Sequence, residues 1–162
     1  MQANSPGRCS TIAAESRVIA FFDTSALVKL YIDEAHSEAT RRLLAEIRIA
    51  AVCRIAWAEA HAAFSRRARE RPEDRAALDL ARRQLTEDWP HFLVVDATQA
   101  VVARAADYAD LFALRAYDSV QLAAAHETLI GSGEAVQFAC FDHRLNKAAA
   151  VLGLGAPFAA IS

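Results

Sequence analysis

Residues 18–32 read VIAFFDTSALVKLYI, and the order of residue types along that run sets the fold. VIAFF (18–22) is a continuous apolar stretch of strand length, the pattern of a strand buried on both faces. It stops at Asp23. Thr24 and Ser25 can both cap a helix, and ALVKLYI continues with helical spacing. A buried strand, an acid at its carboxyl end and a helix directly behind form the opening of a β-α unit in a parallel sheet.

The same alternation repeats outward from this run. Further strands are expected at 48–53 (RIAAVC), 91–95 (HFLVV) and 136–141 (VQFACF), with 155–161 (GAPFAAI) as an edge strand. Helices at 24–32, 34–47, 55–70, 72–88, 98–114, 117–130 and 143–153 fill the intervals. Pro72 suits a first helical turn, Pro90 closes the helix before it, and Gly131 and Gly133 end another. Alanine occupies 38 of 162 positions, and as the best helix former it supports a helix-heavy chain. The expectation is a three-layer α/β/α domain over residues 18–162, with a mainly parallel central sheet of four to five strands. Residues 1–17 are polar, carry Pro6 and Gly7 and lack periodicity, so they read as a flexible leader.

Composition excludes several classes. No apolar run approaches the ~20 residues of a bilayer span, so no membrane helix is expected. The amino-terminal stretch has no apolar core of signal-peptide length. Cys9, Cys53 and Cys140 are an odd count without a CxxC pair, which argues against a disulfide frame or a zinc site and fits a cytoplasmic protein. The net charge of −2 does not advertise a nucleic-acid partner. Seven arginines between residues 66 and 83 stand against Glu70, Glu73, Asp74 and Asp79, and this segment reads as solvated helix faces.

Asp23 and Asp142 each follow an apolar strand, so both are expected at the carboxyl edge of the sheet, where open α/β sheets bind ligands. Each also has a plain explanation as the cap of the following helix. Asp118 falls in a stripe with Leu111, Leu114, Leu122, Ala125 and Leu129, so it is either a buried acid needing a partner or lies beyond a helix break after Leu114. Arg115 or Arg104 could be that partner. Glu59 sits among Ile55, Ala56, Ala62 and Ala63 on a helix face. If these acids converge, repulsion is about 4 kcal/mol per pair at about 4 Å and an effective dielectric of about 20. A divalent cation is the ordinary remedy, and an all-oxygen set selects Mg²⁺ or Mn²⁺ over zinc.

FFDTSALVKLY (21–31) resembles the opening of PIN-domain ribonucleases, especially VapC-type toxins of type II toxin–antitoxin systems. IAWAEAHAAF around Glu59, LRAYDSVQLAAA around Asp118 and FACFDHRLNKAAAVLGL around Asp142 follow in that family's order, and the resemblance spans about residues 18–155. Ser119 stands where the family more often has alanine. The resemblance implies a Mg²⁺- or Mn²⁺-dependent endoribonuclease with Asp23, Glu59, Asp118 and Asp142 as its acidic quartet. On that pattern Asp23 and Asp118 ligate the metal directly; Glu59 and Asp142 bind it directly or through water, or position the attacking water. Thr24 or Ser25 supports the site by hydrogen bonding. The implied reaction is in-line attack of water on a phosphodiester of structured RNA such as tRNA or rRNA, leaving a 5′-phosphate and a 3′-hydroxyl. A homodimer and a cognate antitoxin are implied partners. Helices 24–32 and 34–47 are candidates for that surface, with Leu30, Tyr31, Ile32, Leu43 and Leu44 as anchors or as the protein's own core.

Two other functions compete. A haloacid-dehalogenase-like phosphatase would also place an Asp after the first strand, but its second acid two residues on is Ser25 here. From a different class, a non-catalytic module binding RNA or antitoxin, acting as a co-repressor, would not need the acids. No GxSxG or other nucleophile elbow occurs.

Overall fold

A computed structural model describes residues 18–161; the expected leader at 1–17 lies outside them. Four strands form one all-parallel sheet: β1 (Ile19–Phe22), β2 (Ile49–Cys53), β3 (Leu93–Val95) and β4 (Val136–Ala139). Their spatial order is β3-β2-β1-β4. The chain steps from β1 outward through β2 to β3 and then crosses back to place β4 on the other side of β1. That reversal puts a topological switch point beside β1 and β4, the position where such sheets open a crevice at their carboxyl ends.

The pleat of β1 explains the layers. Ile19 and Phe21 face one core, with Phe138, Leu122 and Leu145 among its members, while Ala20 and Phe22 face the other, with Leu27, Phe64 and Leu85. The first core is covered by α5 (Gln99–Phe112), α6 (Ala116–Ser132) and α7 (His143–Val151), and the second by α1 (Thr24–Leu27), α3 (Ile55–Glu70) and α4 (Arg75–Asp88). All four residues of β1 are buried, as a central strand covered on both faces must be. The three-layer α/β/α expectation holds, with four strands. No helix of the described residues is long and apolar enough to cross a membrane.

Several boundaries differ from expectation. The helix at 24–32 is one α turn continued by a 3₁₀ turn at Val28–Leu30. The helix at 34–47 starts only at Ser37, so α2 is Ser37–Glu46. His36 before it is left-handed at φ 68°, and the buried Ser37 hydroxyl donates to Ile32 O at 2.8 Å. The edge strand at 155–161 contracts to a single bridge between Gln137 and Gly155. Phe158 instead turns inward and stacks on Phe141 at 4.6 Å between ring centroids. Leu30, Tyr31, Ile32 and Leu43 pack partly against the core, and Leu44 is the exposed member of that set.

The stripe drawn through Leu111 and Asp118 is broken. α5 ends at Phe112, Ala113 adopts φ 52°, and Leu111 is 68% exposed. A new helix begins at Ala116, which leaves Asp118 in its first turn.

Candidate functional site

Asp23 is set by the end of β1. Its backbone N–H donates to Ala139 O at 3.1 Å, tying it to the carboxyl end of β4. Its carboxylate accepts from Ala26 N at 3.0 Å and from the Ser25 hydroxyl at 2.7 Å. The capping explanation is therefore correct for Asp23, and it coexists with burial at the switch point. That burial pushes its pKa from 3.8 up to about 6, with the charge of Asp118 adding to the rise and the Ser25, Ala26 and Cys140 hydrogen bonds opposing it.

Asp142 caps α7 in the same way, accepting from Leu145 N at 2.8 Å, but it is exposed. Asp118, half-buried, has its pKa raised by burial and then by Asp142 and Glu59, against the lowering charge of Arg115. Arg104, the other candidate partner, pairs with Glu127 instead. Glu59 projects from α3 toward α1 and α6. It accepts from the Thr24 hydroxyl and from Gln121 Nε2 at 2.7 Å, and Gln121 also donates to Thr24 Oγ1 at 2.9 Å.

The adjacent hydroxyls of the DTS run thus divide their work. Ser25 holds Asp23 and accepts from Phe141 N at 3.2 Å, while Thr24 holds Glu59. A phosphatase acid at position 25 is absent, since that residue is this serine.

The four acids share one edge and feel one another's charge: Asp23 senses Asp118, and Asp118 senses Asp142 and Glu59. Among the described residues none of them forms an ion pair with Lys or Arg. Among the same residues no three His, Cys, Asp or Glu side chains stand close enough together to hold a metal ion. The donor chemistry, carboxylate and hydroxyl oxygens with a buried acid of raised pKa, fits a hard divalent cation. Asp118 and Asp142 line a cavity of about 410 Å³ together with Leu114, Arg115, His143 and Arg144.

Two neighbours escaped sequence reasoning. Gln121 is 3% exposed with Oε1 unpartnered, and it stands one turn beyond Asp118 in the RAYDSVQLA run. An amide inside an apolar helix was the available signal. Cys140, at the end of β4, accepts from Asp142 N at 3.2 Å and lies in hydrogen-bonding reach of Asp23. Burial and the Asp23 charge push its thiol pKa well up, so it is a protonated packing group rather than a nucleophile.

Comparison with known proteins agrees with this architecture. A chain of a solved structure, "Toxin-antitoxin complex from Klebsiella pneumoniae", superposes with a TM-score of 0.57 at 18% identity, covering 85% of this chain and 97% of that one. At that identity the likeness is one of fold. No protein of curated function matches the sequence significantly. The family model described as PIN domain matches residues 20–151, which contain all four acids and all of the sheet except Ile19. The chain belongs to the PIN domain family, whose members are generally nucleases.

Proposed function

We propose that the protein is a Mg²⁺- or Mn²⁺-dependent endoribonuclease of the VapC toxin type, acting on structured RNA and restrained by a cognate antitoxin. The observation that carries this reading is the set of acids from β1, α3, α6 and the β4–α7 junction, gathered at the switch point without a basic ion-pair partner among the described residues. Such charge is costly unless a cation meets it. The structural neighbour's own description as a toxin–antitoxin complex supports the toxin and antitoxin parts.

In this reading Asp23 and Asp118 hold the ion, and Glu59 and Asp142 complete its shell or orient water. A bound Mg²⁺ or Mn²⁺ supplies positive charge against the phosphodiester and acidity for the water nucleophile. Ser25 fixes the rotamer of Asp23, and Thr24 with Gln121 fixes that of Glu59. The products are a 5′-phosphate and a 3′-hydroxyl. A homodimer belongs to the same proposal.

That no group of three such side chains ready to hold an ion is found among the described residues favours one second reading: a non-catalytic module that binds RNA or antitoxin. Cleavage of total cellular RNA with Mg²⁺, Mn²⁺ or EDTA, by wild type and Asp118→Asn, separates the two. Discrete fragments that need metal and vanish in the variant are expected. Intact RNA under both metals, from folded protein free of antitoxin, moves the assignment to the binding module.

A further inference from the structure

We propose, resting on the nuclease reading, that Arg115, His143 and Arg144 form a phosphate-binding rim that holds the backbone of an RNA strand beside the acids. These side chains, all exposed, line the same cavity of about 410 Å³ as Asp118 and Asp142. Arg115 is the N-cap of α6 and Asp142 the N-cap of α7, so helices of 17 and 9 residues both open their amino ends at this cavity. Partial positive charge from those ends adds to the guanidinium groups. Arg144 Nη1 donates to Ala113 O at 3.2 Å, which lays its side chain from α7 to the turn that precedes α6. Ala113 is left-handed at φ 52°, and the break it makes is what presents both Arg115 and Asp118 at one mouth.

Position beside the acids makes this pair distinctive. Arg41, Arg42, Arg48, Arg54 and Arg104, like the arginines at 66, 67 and 82, each face a carboxylate within ion-pair distance. Arg115 and Arg144, like Arg69, Arg71, Arg75 and Arg83, form no ion pair among the described residues, but unlike those four they line the cavity that holds Asp118 and Asp142. A polyanion approaching Asp118 and Asp142 alone meets like charge; the two guanidiniums offset it and offer planar forks matched to phosphate. The acids and the rim would then divide the work, one set for the scissile bond and one for its neighbours.

The test is binding without chemistry. A labelled single-stranded RNA of about 20 nucleotides is titrated with the full chain in EDTA, by fluorescence anisotropy, across KCl from about 50 to about 200 mM. Arg115→Gln with Arg144→Gln is expected to weaken binding about tenfold and to flatten the log–log salt slope by about 1.4, at about 0.7 per lost phosphate contact. Arg115→Lys with Arg144→Lys keeps the charge and the slope. Arg69→Gln with Arg83→Gln removes equal charge from exposed sites elsewhere and leaves binding unchanged. An unaltered slope in the first double variant overturns the rim, and so does equal flattening in the Arg69 and Arg83 control. If Asp118→Asn abolishes cleavage while the rim variant binds as wild type, only the rim falls. If the rim variant loses binding but no metal supports cleavage by wild type, the rim stands and the nuclease reading falls.

Discussion

On α3 and α4 much of the charge is paired where it stands. Arg67 pairs with Asp74 at 2.9 Å and Glu34 at 3.3 Å, Arg82 with Asp79 at 2.6 Å, and Arg66 reaches Glu70 at 4.0 Å. At the carboxyl edge of the sheet the four acids have hydroxyl, amide and thiol neighbours and one another. Both regions are rich in charge, and only the second gathers acids that sense one another and form no ion pair among the described residues. Locally paired charge on a helix surface contributes little beyond solubility and a few tenths of a kcal/mol per pair. Charge held together against repulsion costs stability, and such sites are where function concentrates.

Removing Asp23 should break the contrast most sharply. Its unfolded carboxyl loses its proton near 3.8, whereas the folded protein keeps it to about 6. Between those values the folded state binds more protons, so this contribution to stability is complete at low pH and is lost as pH rises through about 6. The loss from acid to neutral pH is about 3 kcal/mol for a shift of this size. Urea unfolding of metal-free wild type and Asp23→Asn across that range should show this fall in wild type beyond whatever pH dependence the variant retains. Parallel curves would remove the case for a strained acid at the switch point.

A smaller effect is expected at Gln121. Gln121→Leu leaves Glu59 with Thr24 as its remaining side-chain donor among the described residues. RNA cleavage should fall about tenfold in kcat with KM little changed, and stability by about 1 kcal/mol, the net value of a typical hydrogen bond. An unchanged kcat alongside lowered stability would reduce Gln121 to a packing residue.

The smallest effect belongs to the paired layer. Arg67→Ala removes two partly exposed ion pairs and should cost under about 1 kcal/mol in thermal or urea unfolding. RNA binding and cleavage should be unchanged. A large loss of RNA affinity there would erase the distinction between the regions and restore the arginine segment as a nucleic-acid surface.

Legibility followed the range of the interactions. β1 was visible because four consecutive apolar residues can satisfy themselves only between two cores. Asp23 and Asp142 were visible as strand-end acids and as caps; both descriptions hold for Asp23, while Asp142 is a cap that stands beyond Cys140 and Phe141 because β4 ends at Ala139. Asp118 was picked out by a stripe that does not exist, since Ala113 breaks the helix and Leu111 points to solvent. It belongs to the edge for another reason, its place in the first turn of α6. The helix at 34–47 and the strand at 155–161 were overdrawn, because local pattern does not register the left-handed His36 or the inward turn of Phe158. Gln121 was missed because its partners Glu59 and Thr24 lie 62 and 97 residues away.

By itself the sequence determined the alternation of buried strand and helix, the acid at each of two strand ends and the chemical type of every candidate donor. Those are local properties of apolar runs and side chains. Only the tertiary structure decided the order β3-β2-β1-β4, and with it the reversal that brings β1 and β4 together. It also decided which charges go unpaired. That outcome depends on distance in space, which the chain sets only when both cores close around the sheet.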